Sequence, residues 1–197
     1  MKTIVWDVDD VLNELMYYWF EECYKNEYSD LTHTFNDLYE NPPYYILKMS
    51  KDDYLTSLDK YRISDNGRNL SPNKNVLAWF HKNGYKYRHI ALTSRSRKTV
   101  PILSEWLFRH YGDWIRTMSF IPAKRHGEKI PAYDSKKADF LMWLGKIDLF
   151  IDDSEENVNM AEKIGVNSLL YPRPWNSSSL TVDQFLNQIS ILLKGAN

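Results

Sequence analysis

The chain has 197 residues, room for one domain or for a domain with a modest insertion. Lys plus Arg number 25 and Asp plus Glu 26, so no basic excess marks a surface for a nucleic-acid polymer. The single cysteine, Cys23, excludes an internal disulfide and fits a reducing compartment.

No stretch approaches the roughly 20 apolar residues of a membrane span. The start of the chain lacks the basic and apolar regions of a signal peptide. The expectation is a soluble, cytoplasmic protein with no membrane partner.

Residues 3–8 read as a buried strand, short and apolar, and the strand runs into Asp7-Val8-Asp9-Asp10-Val11-Leu12. Alternating carboxylates at the end of an apolar strand are hard to justify as packing, because unpaired carboxylates are rarely buried. Two such acids can bind a divalent cation through hard oxygens, or one of them can attack phosphorus. An acidic turn is the plainer alternative, since Asp favours turns.

From about 13 to 75 the chain reads as helical, with no strand candidate. Met16, Tyr17 and Phe20 share one helical face and are expected to pack. Tyr18 and Trp19 point elsewhere and are expected to line a cleft. Tyr39 to Tyr45, with Pro42-Pro43, reads as a loop or helix break, and Tyr54-Leu55-Leu58-Tyr61 as a further helix.

Beyond 75, strands and helices alternate. Val76-Leu77-Trp79-Phe80 has helical spacing and Gly84 a stop. His89-Ile90-Ala91-Leu92 reads as a strand ending in Thr93-Ser94-Arg95-Ser96. Val100-Leu103-Leu107 is a helix and Thr117 to Ile121 a short strand. The basic loop Lys124 to Lys129 is either solvated or steers a phosphate. Ala138-Leu141-Met142-Leu144 is a helix preceded by Lys136-Lys137. Ile147 to Ile151 is a strand ending in Asp152-Asp153-Ser154. Val158-Ala161-Ile164 with Gly165 is a helix, and Val166 to Tyr171 a strand leading into Pro172-Arg173-Pro174-Trp175-Asn176. Ser177 to Ser179 reads as a loop before the last helix. His33, His81, His89, His110 and His126 are scattered without metal spacing and read as surface or core. The fold class is therefore α/β, a central parallel sheet covered by helices. Its polar clusters fall where such sheets bind ligands, at the carboxyl ends of strands.

Four of these clusters together resemble the motifs of the haloacid dehalogenase superfamily of phosphohydrolases. They are Asp7-Val8-Asp9 after an apolar strand, Thr93 at a strand end, Lys137 or Lys136 at a helix start, and Asp152-Asp153 at a strand end. The resemblance implies a Rossmann-like core of residues 1–12 plus 76–197, with 13–75 a helical cap of the C1 type inserted after the first strand. It makes Asp7 the nucleophile, forming an aspartyl-phosphate, and Asp9 the general acid and then base. Mg²⁺ would be held by the Asp7 carboxylate, the Asp9 backbone carbonyl and Asp152. Thr93 would hold phosphate oxygens, and Lys137 would neutralise the nucleophile and the phosphoryl group. Asp153 is read either as a further metal contact through water or as a helix cap. Ser94 and Arg95 are read either as substrate contacts or as the start of a helix, with Arg95 at the surface. Lys136 is the alternative to Lys137, while Tyr18 and Trp19 would meet substrate.

Ile151-Asp152-Asp153 with the later Pro174-Trp175-Asn176 resembles the 5'(3')-deoxyribonucleotidase branch. That branch implies a nucleoside monophosphate as the small phosphate ester, with a sugar phosphate or other metabolite as the alternative. A non-catalytic binding protein of the same fold is a third reading, and a homodimer an open one.

Overall fold

The computed structural model describes residues 1–27, 33–131 and 133–194. In chain order the elements are β1 (Thr3–Trp6), α1 (Leu15–Trp19), α2 (Lys25–Glu27), α3 (Lys51–Ile63), α4 (Asp65–Arg68) and α5 (Lys74–Asn83). They continue with β2 (Arg88–Arg95), α6 (Val100–Tyr111), β3 (Ile115–Pro122), α7 (Lys137–Leu144), β4 (Leu149–Asp152), α8 (Glu155–Lys163), β5 (Ser168–Leu170) and α9 (Val182–Lys194). A π-helical stretch, Phe20–Tyr24, joins α1 to α2.

The five strands form one parallel sheet in the order β3-β2-β1-β4-β5. Parallel strands buried on both faces need continuous apolar runs, which β1 has. Alternate residues serve opposite faces. Ile4 and Trp6 join Ala91, Leu149 and Ile151 in the larger core under α5, α6 and α9. Val5 joins Ile90, Leu92 and Phe150 in a smaller core under α7 and α8. Each large side chain buried this way contributes roughly 1.5–3 kcal/mol. The expected strand at 117–121 extends to Ile115–Pro122, and the one at 166–171 shrinks to Ser168–Leu170.

Helix starts are fixed by side chains that accept otherwise orphaned backbone N–H groups. Asp53 N donates to Ser50 Oγ at 3.1 Å ahead of α3, and Asn75 N to Asn73 Oδ1 at 3.2 Å ahead of α5. Asn73 also donates from Nδ2 to the Tyr171 hydroxyl at 2.7 Å, fixing the start of α5 to the end of β5.

Among the described residues, no strand of the sheet lies between β1 and β2, as expected; residues 28–32 of that stretch lie outside the described part. The segment leaves and rejoins the sheet at one place. Asn73 N donates to Leu12 O at 2.8 Å, and Asn13 pairs with Pro72 in an isolated antiparallel bridge. The Tyr111 hydroxyl donates to Leu12 O at 2.8 Å and Trp106 Nε1 to Leu70 O at 2.7 Å, so α6 holds both connections.

His89 is a core histidine. Trp6 Nε1 donates to its Nδ1 at 3.0 Å, and its Nε2 lies 2.7 Å from Gly84 O, which can only accept. The ring is thus neutral with the proton on Nε2, and burial pushes its pKa down to about 4. A histidine whose folded pKa lies below its ordinary value of 6.5 costs stability as pH falls from 6.5 towards 4, and nothing above that range. Imidazole ¹⁵N spectra are expected to show the Nε2–H tautomer unchanged from pH 8 to about pH 5; a ring that charges near pH 6.5 would refute this bonding.

Candidate active site

The sheet order places β1 in the middle. The chain builds β2 and β3 on one side of it and then β4 and β5 on the other. The crevice at such a reversal, outside the carboxyl ends of the strands, is where open α/β sheets bind ligands. Asp7 follows β1 directly and Asp152 ends β4, and Asp7 N donates to Ile151 O at 2.8 Å.

Between these two carboxylates lies Lys137, at the first position of α7. Its Nζ is 2.6 Å from Asp7 Oδ1 and 2.7 Å from Asp152 Oδ2. Lys137 is 3 % exposed and Asp152 fully buried, so this is a desolvated ion cluster. Burial alone would lower the Lys137 pKa, but Asp152 and then Asp7 outweigh it and raise it. Asp152 also accepts from Ser154 N at 2.9 Å and Asn157 Nδ2 at 3.1 Å through its other oxygen.

Asp153 completes the acidic group. Carboxylate oxygens of Asp7, Asp152 and Asp153 lie within 4.8 Å of one another. One ammonium faces three carboxylates, leaving two uncompensated negative charges where water is largely excluded. Burial, with Asp152 and Asp153 opposing Lys137, holds the Asp7 pKa well above the usual carboxylate range. Burial and then Asp152 push Asp153 up to about 7. A buried set of hard oxygens lacking two positive charges is the donor set a divalent cation such as Mg²⁺ requires.

Asp9 sits in a different environment. Arg95 holds it with Nη2 2.6 Å from Oδ1 and Nε 3.2 Å from Oδ2. Arg62, from α3, adds Nη2 at 2.9 Å from Oδ2, and Asn13 adds Nδ2 at 3.3 Å from Oδ1. Burial would raise the Asp9 pKa, but Arg95 and then Arg62 overcome it and hold the group at about 2. Asp10 turns the chain away from the sheet at φ 62°, a left-handed conformation that Asp tolerates. Its carboxylate accepts from Met16 N at 2.9 Å, which starts α1.

The structure brings Asp7, Asp9, Thr93, Ser94, Lys137, Asp152 and Asp153 around one cleft of about 340 Å³. Other expectations are corrected. Lys136 is exposed and lies 3.4 Å from Glu156, because helix α7 turns Lys137, not Lys136, inward. Arg95 is not at the surface but 3 % exposed, held in place by the Asp9 carboxylate. The start of α8 is capped by Ser154, which accepts from Asn157 N. Asp153 instead accepts from Trp175 Nε1 at 2.8 Å, so it is not the cap.

Trp19 and Tyr18 do not line the cleft. Trp19 is wholly buried, donates from Nε1 to Ser57 Oγ at 3.1 Å and meets Tyr54 edge-on. Tyr18 packs against Tyr17 and faces a separate cavity with Glu22 and Tyr61. Tyr17, expected to pack with Met16 and Phe20, is 40 % exposed. The reason is that α3 lies against α1 as well as the core does, so α1 has two buried sides and one apolar stripe does not describe it.

The sequence reading missed Arg62, Tyr54 and Leu58, which line the cleft from α3, together with Met16, Asn41 and Pro42. Tyr54, Leu58 and Arg62 recur every four residues and are all buried, so a charged residue continues an apolar face. That interruption is the signal the sequence carried. Asp59 and Arg125 were also missed as partners. Asp59 Oδ1 lies 3.0 Å from Arg62 Nη1, and its carboxylate takes Arg125 Nε at 2.8 Å and Nη2 at 3.0 Å. The basic loop is thereby tied to α3.

No protein-family model matches this chain. No curated protein matches it either. Solved structures do resemble it. A predicted phosphatase from Clostridium acetobutylicum superposes with a TM-score of 0.62 at 14 % identity, over 96 % of this chain and 98 % of that one. A hydrolase from Streptococcus pneumoniae TIGR4 gives 0.57 at 14 % identity, over 98 % and 99 %. A haloacid dehalogenase-like family hydrolase from Streptococcus pneumoniae gives 0.54 at 11 % identity, over 86 % and 84 %. The chain has the Rossmann-like α/β fold of haloacid dehalogenase-like hydrolases.

Proposed function

We propose that the protein is a Mg²⁺-dependent phosphomonoesterase that passes the phosphoryl group through Asp7, with residues 13–75 as its cap. The observation that carries this reading is the Lys137 ammonium seated between Asp7 and Asp152 at the ends of adjacent strands.

The Asp7 carboxylate attacks phosphorus and the alkoxide leaves, giving an aspartyl-phosphate that water then hydrolyses. Lys137 keeps one Asp7 oxygen in place and faces the phosphoryl charge. Thr93, 1 % exposed at the end of β2, offers its hydroxyl to phosphate oxygens, with Ser94 beside it. Asp7, Asp152 and Asp153 would hold the Mg²⁺, which when bound offsets carboxylate–phosphate repulsion and stabilises transition-state charge. Asp9 is the proton donor to the leaving oxygen and then the base for water. With Arg95, Arg62 and Asn13 all donating to it, Asp9 is ionised here, and it takes up from water the proton that it gives to the leaving oxygen only after that pairing loosens. Met16, Tyr54, Leu58 and Arg62 close the cleft from the cap side and exclude water from the reacting atoms.

The substrate class is a small phosphomonoester. The nucleoside monophosphate reading rests on Ile151-Asp152-Asp153 and Pro174-Trp175-Asn176, and the latter has a structural use here. Trp175 donates to Asp153, while Asn176 Nδ2 donates to Asp153 O and Tyr171 O, both at 2.8 Å. Tyr54 is the aromatic side chain lining the cleft among the described residues, a narrow platform for a base.

Phosphate release from p-nitrophenyl phosphate and from a panel of nucleoside monophosphates and sugar phosphates, with and without Mg²⁺, tests the reading. Turnover is expected only with Mg²⁺. No turnover of any ester with Mg²⁺ would end the phosphatase reading, and equal rates across the panel would remove the nucleotidase reading.

A further inference from the structure

We propose that Arg62 reads a second anionic group on the substrate, so that the preferred substrate is a small phosphomonoester bearing a further carboxylate or phosphate. This rests on the phosphomonoesterase reading above and narrows its substrate class.

The two ends of the cleft differ in charge. At one end Asp7, Asp152 and Asp153 outnumber Lys137. At the other, three guanidiniums, Arg62, Arg95 and Arg125, share two carboxylates, Asp9 and Asp59. The ion-paired side chains of this second cluster leave one positive charge in excess, with the Glu128 carboxylate beside them on the Arg125 backbone N at 3.0 Å. Of its three guanidiniums, Arg62 is the one that lines the cleft, beside Asp9.

Arg62 is also incompletely satisfied. Nη1 is used by Asp59 and Nη2 by Asp9, while Nε is buried with no acceptor. A planar guanidinium with an orphaned donor matches the two oxygens of a carboxylate or phosphate. Its position is fixed, because Asp59 holds it from behind and is itself held by Arg125 in a two-point contact. Leu58 and Tyr54, one and two turns earlier on the same face of α3, separate this end of the cleft from solvent.

The geometry also couples recognition to chemistry. In the structure the Asp9 carboxylate occupies the Arg62 Nη2 donor that a substrate anion would take. An anion arriving at Arg62 displaces Asp9 from it and leaves Asp9 with Arg95 and Asn13, one ion pair fewer and so closer to taking up the proton that the leaving group needs. A phosphomonoester without a second anion lacks the group that makes this exchange.

The test uses matched pairs at fixed Mg²⁺: 2-phosphoglycolate against 2-hydroxyethyl phosphate, and 3-phosphoglycerate against glycerol 3-phosphate. The wild-type protein is expected to favour the bis-anionic member of each pair by about 10- to 100-fold in kcat/KM, the range of one charged hydrogen-bonded contact. Arg62→Gln is expected to collapse that ratio towards one, and Arg62→Lys to leave an intermediate ratio because it keeps the charge but not the fork. Equal kcat/KM within each pair in the wild type would overturn the inference while leaving the phosphatase reading standing. A ratio unchanged in both variants would overturn the assignment to Arg62. Hydrolysis of none of the four esters would instead remove the underlying phosphatase reading. The wild-type comparison and Arg62→Lys keep the test decisive if Arg62→Gln fails to fold.

Discussion

Asp7→Asn is expected to lower kcat for hydrolysis of a phosphate ester by about 10³- to 10⁴-fold, with the protein still folded. An amide matches the carboxylate in shape and keeps an oxygen for Lys137, 2.6 Å away, but it is not a nucleophile towards phosphorus. The loss therefore falls on the chemical step. Stability is expected to hold or rise, because the wild-type cluster has three carboxylates around one ammonium and burial already works against the charge on Asp7. Steady-state phosphate release with Mg²⁺, paired with a thermal melt, checks both parts. Activity that survives in a well-folded Asp7→Asn protein would show that phosphorus is attacked by something else.

Lys137→Met is expected to cost about 3–5 kcal/mol of stability in metal-free protein, the range for removing one partner of a buried ion pair. Asp7 and Asp152 would then face each other with no cation between them, in a place where Asp152 has no exposure to water. Methionine fills most of the volume, so the loss reports charge and not a cavity. The Lys137 pKa is raised, so its contribution is complete at every pH below the ordinary lysine value of about 10.5 and fades only above it. Urea denaturation at pH 7 measures the deficit. Because Mg²⁺ would supply part of the missing positive charge, its addition is expected to stabilise the variant more than the wild type. A variant as stable as wild type without metal would mean that this ion cluster does not hold the strand ends together.

Much of the core was legible in the sequence. Apolar runs that end abruptly in acids or hydroxyls identify parallel strands, since such strands are buried on both faces and release their chain into a ligand-facing loop. That logic found Asp7, Thr93 and Asp152 without any contact information, and Lys137 came from the family resemblance. It could not separate Lys136 from Lys137 except by helical phase, and the structure agrees with the phase.

The helical stretch after β1 was legible only as helix. Trp19 and Tyr18 were expected to face the cleft because an amphipathic helix has one buried stripe, but α1 is buried from two directions. Arg62 and Arg95 were opaque for a related reason. An arginine reads as surface unless its partners are known, and here the shared partner Asp9 lies 53 residues from Arg62 and 86 from Arg95, while Asp59, one turn before Arg62, is itself held by Arg125 from the loop after β3.

By itself, then, the sequence determined the order of the elements and the residues at the strand ends, because periodicity and local chemistry act over a few positions. Only the tertiary structure decided how the charges divide: acids around Lys137 at one end of the cleft, guanidiniums around Asp9 at the other. Burial sets the cost of each charge and long-range packing sets its partner, and neither is written in local spacing.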